Sequence, residues 1–390
     1  MPFAAGLSEH PLPSHAIGEA VGQVLDGGCR NPDLVAMFVS GSHAEAFAQL
    51  AEVVRETLSP GALIGATASS VLCGPREVED HPAVAVWAAE GIGPARPVRL
   101  ETVRTSAGTV ITGLGRDGGA DIAEVLGDDR CLVVVADPFS FDTVELCDQL
   151  SRVAPGSTVV GGVASASRSP GGNRLLVDDA VVHDGAVGVI VDAASPVRAV
   201  VSQGCRPVGD PYVVTRAERN VIVELAGRPA LERLEELLAR LAPAERTQLA
   251  SGVHLGRVID EHKIDFDRGD FLVRNVLGAD RSKGAIAVAE PIDVGTSVQF
   301  QLRDAASADE DLRLLLDGEA AGGALVFTCN GRGRHLFGAP DHDAQVVTET
   351  LGTTAAAGMF CAGEVGPVGG RSFLHSFTAS VALFRERNRS

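Results

Sequence analysis

Three stretches of the chain repeat one hydrophobic pattern. LVAMFVS (34–40), CLVVVAD (131–137) and ALVFTCN (324–330) are nearly unbroken apolar runs of strand length. Each leads through a loop into a helical stretch: 44–58, with apolar Phe47, Leu50, Val53, Val54 and Leu58, then 141–153, then 341–352. Each helix gives way to a second apolar run that closes on small residues: ALIGATASS (62–70), STVVGGVASAS (157–167) and AGMFCAGEVG (357–366). Beyond each bend lies a further apolar or alternating segment, VAVWAA (84–89), GAVGVIV (185–191) and SFLHSFTASVALF (372–384). A strand–helix–strand unit cannot bury its own faces, so the copies must stack on sheet partners. Strands joined through a helix suit a parallel crossover, and later segments on short turns suit antiparallel additions. The predicted class is α/β, with mixed sheets built from repeated strand–helix–strand units and helices outside, in two domains.

Outside the copies, a helix is predicted over about 14–26, capped by Ser14 and ended by Gly27-Gly28. RPALERLEELLARLAP (228–243) carries leucines 231, 234, 237, 238 and 241 on one stripe and reads as a packing helix just past a domain boundary near 215–228. FLVRNVL (271–277), AIAVAEPI (285–292) and TSVQFQL (296–302) read as a strand meander, and 304–316 as an acid-capped helix.

Composition narrows the function. With 390 residues, 45% apolar and only 4% aromatic, the core must be built of Val, Ala, Leu and Ile. A net charge of −18, with Lys263 and Lys283 the only lysines, argues against a nucleic-acid partner or an anionic membrane surface. Seven dispersed cysteines without a CxxC spacing read as reduced thiols in a cytoplasmic protein. The N-terminal MPFAAGLSEHPLPSH does not read as a signal peptide, and no apolar stretch approaches the ~20 residues that span a bilayer.

Several motifs compete for the chemistry. GLGRDG (113–118) fits a dinucleotide-binding loop, but glycines 113, 115, 118 and 119 also suit a plain strand-to-helix turn. No GxSxG, HExxH or GxxxxGK[ST] occurs, and His254 and His262 lack an acidic ligand cluster, so neither metal nor cofactor is expected. CNGRGRH (329–335) is richer. Gly331 and Gly333 admit unusual backbone, the turn's N–H groups can form an anion nest, and Arg332 and Arg334 add guanidiniums. Aligning the bends on Gly65, Gly161 and Gly358 sets Val71 and Ser167 opposite Glu364, so only the third copy keeps an acid there. The strand ends of a βαβ pair share one sheet edge, where α/β folds bind ligands. Cys329, Arg332, Glu364 and His375 are therefore expected to share a crevice. Arg332 would meet a carboxylate and Glu364 an ammonium, and an amino acid carries both.

VFTCNGRG followed by AGMFCAGEVGPVGGRSFLHSFTASVALF, with DFLVRNVLG and VAEPIDVGTSVQFQLRD before it, resembles the C-terminal part of FIST-domain proteins. LVVVADPFSFD with VVGGVASAS resembles their N-terminal region. The resemblance implies an N-terminal domain over 30–222 and a C-terminal domain over 223–385. It implies a cytoplasmic sensory module that binds small ligands such as amino acids. It carries over Arg274, Asn275, Cys329, Gly331, Arg332, Gly333, Glu364 and His375. The chain has no room for a signalling output domain, so the expected partners are a small polar metabolite and a separate signalling protein. Ser70-Val71 replaces the Gly-Glu of many relatives, which puts a ligand role for the first bend in doubt. An enzyme using the same crevice, with Cys329 or Glu364 as the reacting group, and a ligand-free protein-binding scaffold are the rival readings.

Overall fold

Each unbroken apolar run folds as a strand buried on both faces, as parallel strands between two packed layers must be. The computed structural model describes residues 3–106, 108–113, 126, 130–191, 197–250 and 252–385. The GLGRDG loop lies outside them from residue 114 onward.

The first repeat comprises β1 (Phe3–Ser8), α1 (Pro13–Asp26), β2 (Leu34–Ser40), α2 (Phe47–Leu58), β3 (Ala62–Ala68), β4 (Ser70–Cys73), β5 (Arg76–Glu79) and β6 (Val84–Ala89). The second comprises β7 (Ala95–Thr105), β8 (Gly108–Thr112), β9 (Cys131–Ala136), α3 (Thr143–Val153), β10 (Thr158–Val163), β11 (Leu175–Val177), β12 (Ala180–Val182) and β13 (Ala186–Val191). The third opens with β14 (Val197–Gln203) and is then interrupted in sequence. The interruption holds β15 (Cys205–Pro207), β16 (Tyr212–Glu218), β17 (Val221–Leu225), β18 (Arg228–Pro229), α4 (Ala230–Arg240), α5 (Pro243–Ala250), β19 (His254–Val258), β20 (Phe271–Asp280), β21 (Ala285–Val288) and β22 (Ser297–Arg303). The third repeat resumes with α6 (Ala305–Leu316), β23 (Gly323–Cys329), α7 (Arg334–Phe337), α8 (His342–Leu351), β24 (Ala356–Cys361), β25 (Glu364–Val368), β26 (Arg371–His375) and β27 (Thr378–Phe384).

Two compact units result. The first takes 1–202, 311–374 and 378–390, and the second takes 203–310 and 375–377. In the first unit the three crossovers β2–β3, β9–β10 and β23–β24 are parallel, and β6, β13 and β27 add antiparallel to β2, β9 and β23. The predicted mixed α/β architecture is thus the observed one. The sheets run β1-β6-β2-β3-β11-β12, β8-β7-β13-β9-β10-β25-β26 and β14-β27-β23-β24-β4-β5. Each is finished by a strand pair from another repeat: β4–β5 goes to the third sheet, β11–β12 to the first and β25–β26 to the second. The inner faces meet in one core containing Phe38, Trp87, Val133, Val187, Phe327 and Phe384. The outer faces pack under helices, β2 against α1 and α2, β9 against α3, and β23 against α6 and α8.

The aligned glycines have one structural role. A Cβ at Gly65, Gly161 or Gly358 would stand 2.4, 1.9 or 1.8 Å from the carbonyl oxygen of Met37, Val134 or Val326, its register partner on the parallel strand. Backbone cannot yield there as a side chain can. Gly358→Ala should therefore cost about 2–3 kcal/mol in a chemical denaturation midpoint, near the upper end of ordinary overpacking.

Two local expectations are corrected. Ser14 does not cap α1: Leu12 occupies the cap position without a side-chain bond, and Pro13 starts the helix, where its missing N–H costs nothing. The second-unit strands are no simple meander. β20 pairs β21, but β22 pairs β15, β16 and β19, so the path β22-β16-β17-β21-β20-β19 closes on itself as a barrel. Its core is Val214, Ile222, Leu255, Ile286 and Phe300, covered by Leu234 and Leu237 of α4.

Candidate functional site

The third repeat gathers its polar side chains at the C-terminal end of β23. Alternation along that strand sends Leu325, Phe327 and hence Cys329 to the inner face, and Val326 and Thr328 outward. On the outer side, Asp343 in the first turn of α8 is fully buried. It accepts a bidentate pair from Arg332, Nε to Oδ2 at 2.6 Å and Nη2 to Oδ1 at 2.8 Å, and the Thr328 hydroxyl at 2.6 Å. Arg332 is also fully buried, and its guanidinium lies 5.3 Å from the Phe337 ring centre. Burial alone would raise the Asp343 pKa, but the Arg332 charge and hydrogen bonds hold it well below the usual carboxylate range. The His342 ring nitrogen lies 3.0 Å from the same carboxylate.

On the inner side, Glu364 starts β25, is fully buried and pairs in register with Gly162 of β10. Its Oε2 accepts the Thr378 backbone N–H at 3.1 Å and the Thr378 hydroxyl at 2.9 Å. Burial pushes its pKa up to about 8 against those bonds, a hydrogen bond from the Cys329 thiol and the Arg332 charge. The β4–β5 pair brings a second acid. Glu77 Oε1 accepts the Ala344 backbone N–H at 3.1 Å, and burial and then the neighbouring Asp343 charge raise Glu77 to about 8. Gly333 adopts φ +56°, and a Cβ there would stand 2.8 Å from both Glu79 and Phe360, so glycine is required.

Three charged-group atoms of this cluster are buried with no hydrogen-bond partner in the chain: Arg332 Nη1, Glu364 Oε1 and Glu77 Oε2. Buried polar atoms are nearly always satisfied by protein, water or a ligand. Among the described residues no group of three or more His, Cys, Asp or Glu side chains is placed to hold a metal ion.

Of the residues singled out from sequence, Cys329, Gly331, Arg332, Gly333 and Glu364 come together in the first unit. Arg332 is not an open guanidinium, because Asp343 occupies two of its donors. Arg274 and Asn275 belong to the second unit. There Arg274 bonds Glu290 at 2.7 Å, and Asn275 is exposed opposite His254 in the β19–β20 register. His375, buried, also falls in the second unit. Sequence reading missed Asp343, Glu77, Thr328 and Thr378. Asp343 had a signal, an acid at the start of the third helix just past an arginine-bearing loop. Glu77 had none.

Two family models match most of the chain: a FIST N domain over 33–228 and a FIST C domain over 230–367. The chain belongs to the FIST family. Its similar relatives include the uncharacterized protein Rv0628c of Mycobacterium tuberculosis, 45% identical over 393 residues, covering 98% of this chain and all of that protein. The uncharacterized protein Mb0898c of Mycobacterium bovis is 43% identical over 391 residues, covering 98% of this chain and 99% of that protein. FIST domains are associated with sensory and signal-transduction roles. No helix among the described residues is long and apolar enough to cross a membrane.

Proposed function

We propose that this FIST protein is a cytoplasmic small-ligand sensor whose third-repeat cluster takes a compact metabolite bearing both an anionic and a cationic group. An amino acid is the simplest such ligand. The observation that carries this reading is the pair of buried, unpartnered atoms of opposite character, the Arg332 Nη1 donor and the Glu364 Oε1 acceptor. A ligand carboxylate satisfies the first and an ammonium the second. Each replaces a desolvated charged-group atom, which otherwise costs about 1–3 kcal/mol, with a charge-assisted hydrogen bond. Cys329 and Gly331 of the same turn are half-buried. The signal passes to a separate protein through differential affinity, the ligand stabilising one state of the cluster over another.

The raised Glu364 pKa gives the reading a proton signature. A carboxyl titrating near 8 is largely protonated at pH 7. An ammonium beside it favours the ionised form and lowers that pKa, so binding releases a proton. Affinity should rise about tenfold per pH unit between 6 and 8 and then level off. Thermal shift across an amino-acid and metabolite panel identifies the binder, since a ligand of the native state raises the melting temperature. Calorimetry in buffers of different ionisation enthalpy then counts protons. A flat panel sinks the sensor reading, and pH-independent affinity removes Glu364 from it.

A further inference from the structure

We propose that Cys329 and Cys361 form an oxidant-responsive pair, in which a hydroperoxide oxidises Cys329 and Cys361 then closes an intramolecular disulfide between β23 and β24. The geometry comes from the backbone. The two cysteines are register partners at the ends of adjacent parallel strands. Neighbouring strands lie about 4.8 Å apart, inside the Cα separation of roughly 4.4–6.8 Å that a disulfide spans. Both side chains point to the same face: Cys329 continues the Leu325–Phe327 parity, and Cys361 the Ala357–Met359 parity, toward the inner core. The Cys361 sulfur lies where Gly162 leaves room, since a Cβ at 162 would stand 2.3 Å from it.

Access separates the two roles. Of the seven cysteines, six are buried and Cys329 alone is half-buried. It is therefore the one an oxidant reaches first, and buried Cys361 is the resolving thiol. The Cys329 sulfur lies beside the neutral Glu364 carboxyl and the Arg332 charge, and its thiol proton leaves to solvent. The thiolate attacks the distal peroxide oxygen and the O–O bond breaks. Cys329 becomes a sulfenic acid, and the alcohol, or water from hydrogen peroxide, departs with the proton of the Glu364 carboxyl, which solvent then restores. Cys361 sulfur then displaces hydroxide from the Cys329 sulfenic acid. The hydroxide takes the Cys361 proton and leaves as water. Two thiols lose two electrons, and one peroxide is reduced.

The proposal does not depend on ligand binding, and its test needs no ligand. Reduced full-length protein is treated with one equivalent of hydrogen peroxide, its thiols are counted, and it is mapped by non-reducing peptide mass spectrometry. Two of the seven thiols should disappear, with a cross-link joining Cys329 to Cys361. In Cys361→Ala the reaction should stop at a dimedone-trapped sulfenic acid on Cys329. In Cys329→Ala no thiol should be lost. Retention of all seven thiols in the wild type, a cross-link to another cysteine, or undiminished loss in Cys329→Ala overturns the assignment. The wild-type peptide map decides by itself where a variant fails to fold.

Discussion

Asp343→Ala should destabilise the first unit by about 3–5 kcal/mol, the usual cost of leaving one partner of a buried ion pair alone. The pair is fully buried on both sides and bidentate, and no water-facing route relieves the stranded guanidinium. Removing Asp343 also strands the Thr328 hydroxyl. Arg332→Met is expected to cost less than Asp343→Ala, because Asp343 can then neutralise itself by taking up a proton. The double variant should cost clearly less than the sum of the two, since it leaves neither charge buried. The readout is at hand: the chain has one tryptophan, Trp87, fully buried in the first unit's central core, and its fluorescence follows that unit in a urea titration. Additive single-variant costs would show that Arg332 and Asp343 do not act as a pair.

The second large effect is a loss of stability on raising pH. Glu77 and Glu364 both titrate near 8 in the folded protein, against an ordinary value of 4.5. Between those limits the folded state holds protons that the unfolded state has released. Stability then falls as pH rises, by about 1.4 kcal/mol per pH unit for each group. Below 4.5 both states are protonated and the benefit is full. Above 8 both are ionised, and the folded state bears the whole cost of two buried carboxylates. Asp343 runs the other way. Its lowered pKa contributes stability above its unfolded value near 3.8 that is lost on acidification. Glu364→Gln and Glu77→Gln should each flatten the slope between pH 5 and 8 when urea midpoints are compared with the wild type. Curves that stay parallel to the wild type would mean that these carboxyls are ionised throughout.

Much of the first unit was legible because parallel strands buried on both faces leave unbroken apolar runs that few other arrangements produce. LVAMFVS, CLVVVAD and ALVFTCN marked all three crossovers, and the recurring glycines fixed their alignment to the residue. The β4–β5 and β11–β12 pairs were not legible. SVLC, REVE, LLV and AVV are too short for periodicity to separate from loop, and their partners lie in other repeats. The barrel closure was hidden for the same reason: β22 reads as the end of a meander until its pairing with β19 is seen. In the site, Cys329, Arg332 and Glu364 stood out as charge or thiol set among glycines. What sequence could not give was the pair of acids packed behind them. Glu77 and Asp343 lie 266 positions apart and meet only because the first repeat's strand pair docks on the third repeat's sheet.

That exchange also sets an order on biosynthesis. The first sheet has all its strands once residue 182 has been made, and the third waits only for its own chain, because β4–β5 already exists. Two edges stay open far longer: that of β4 from residue 73 until β24 arrives at 356–361, and that of β10 from residue 163 until β25 arrives at 364–368. A nascent chain thus carries raw backbone edges through much of its translation, and a ribosome that stalls before Ala356 leaves both free to pair with a stranger.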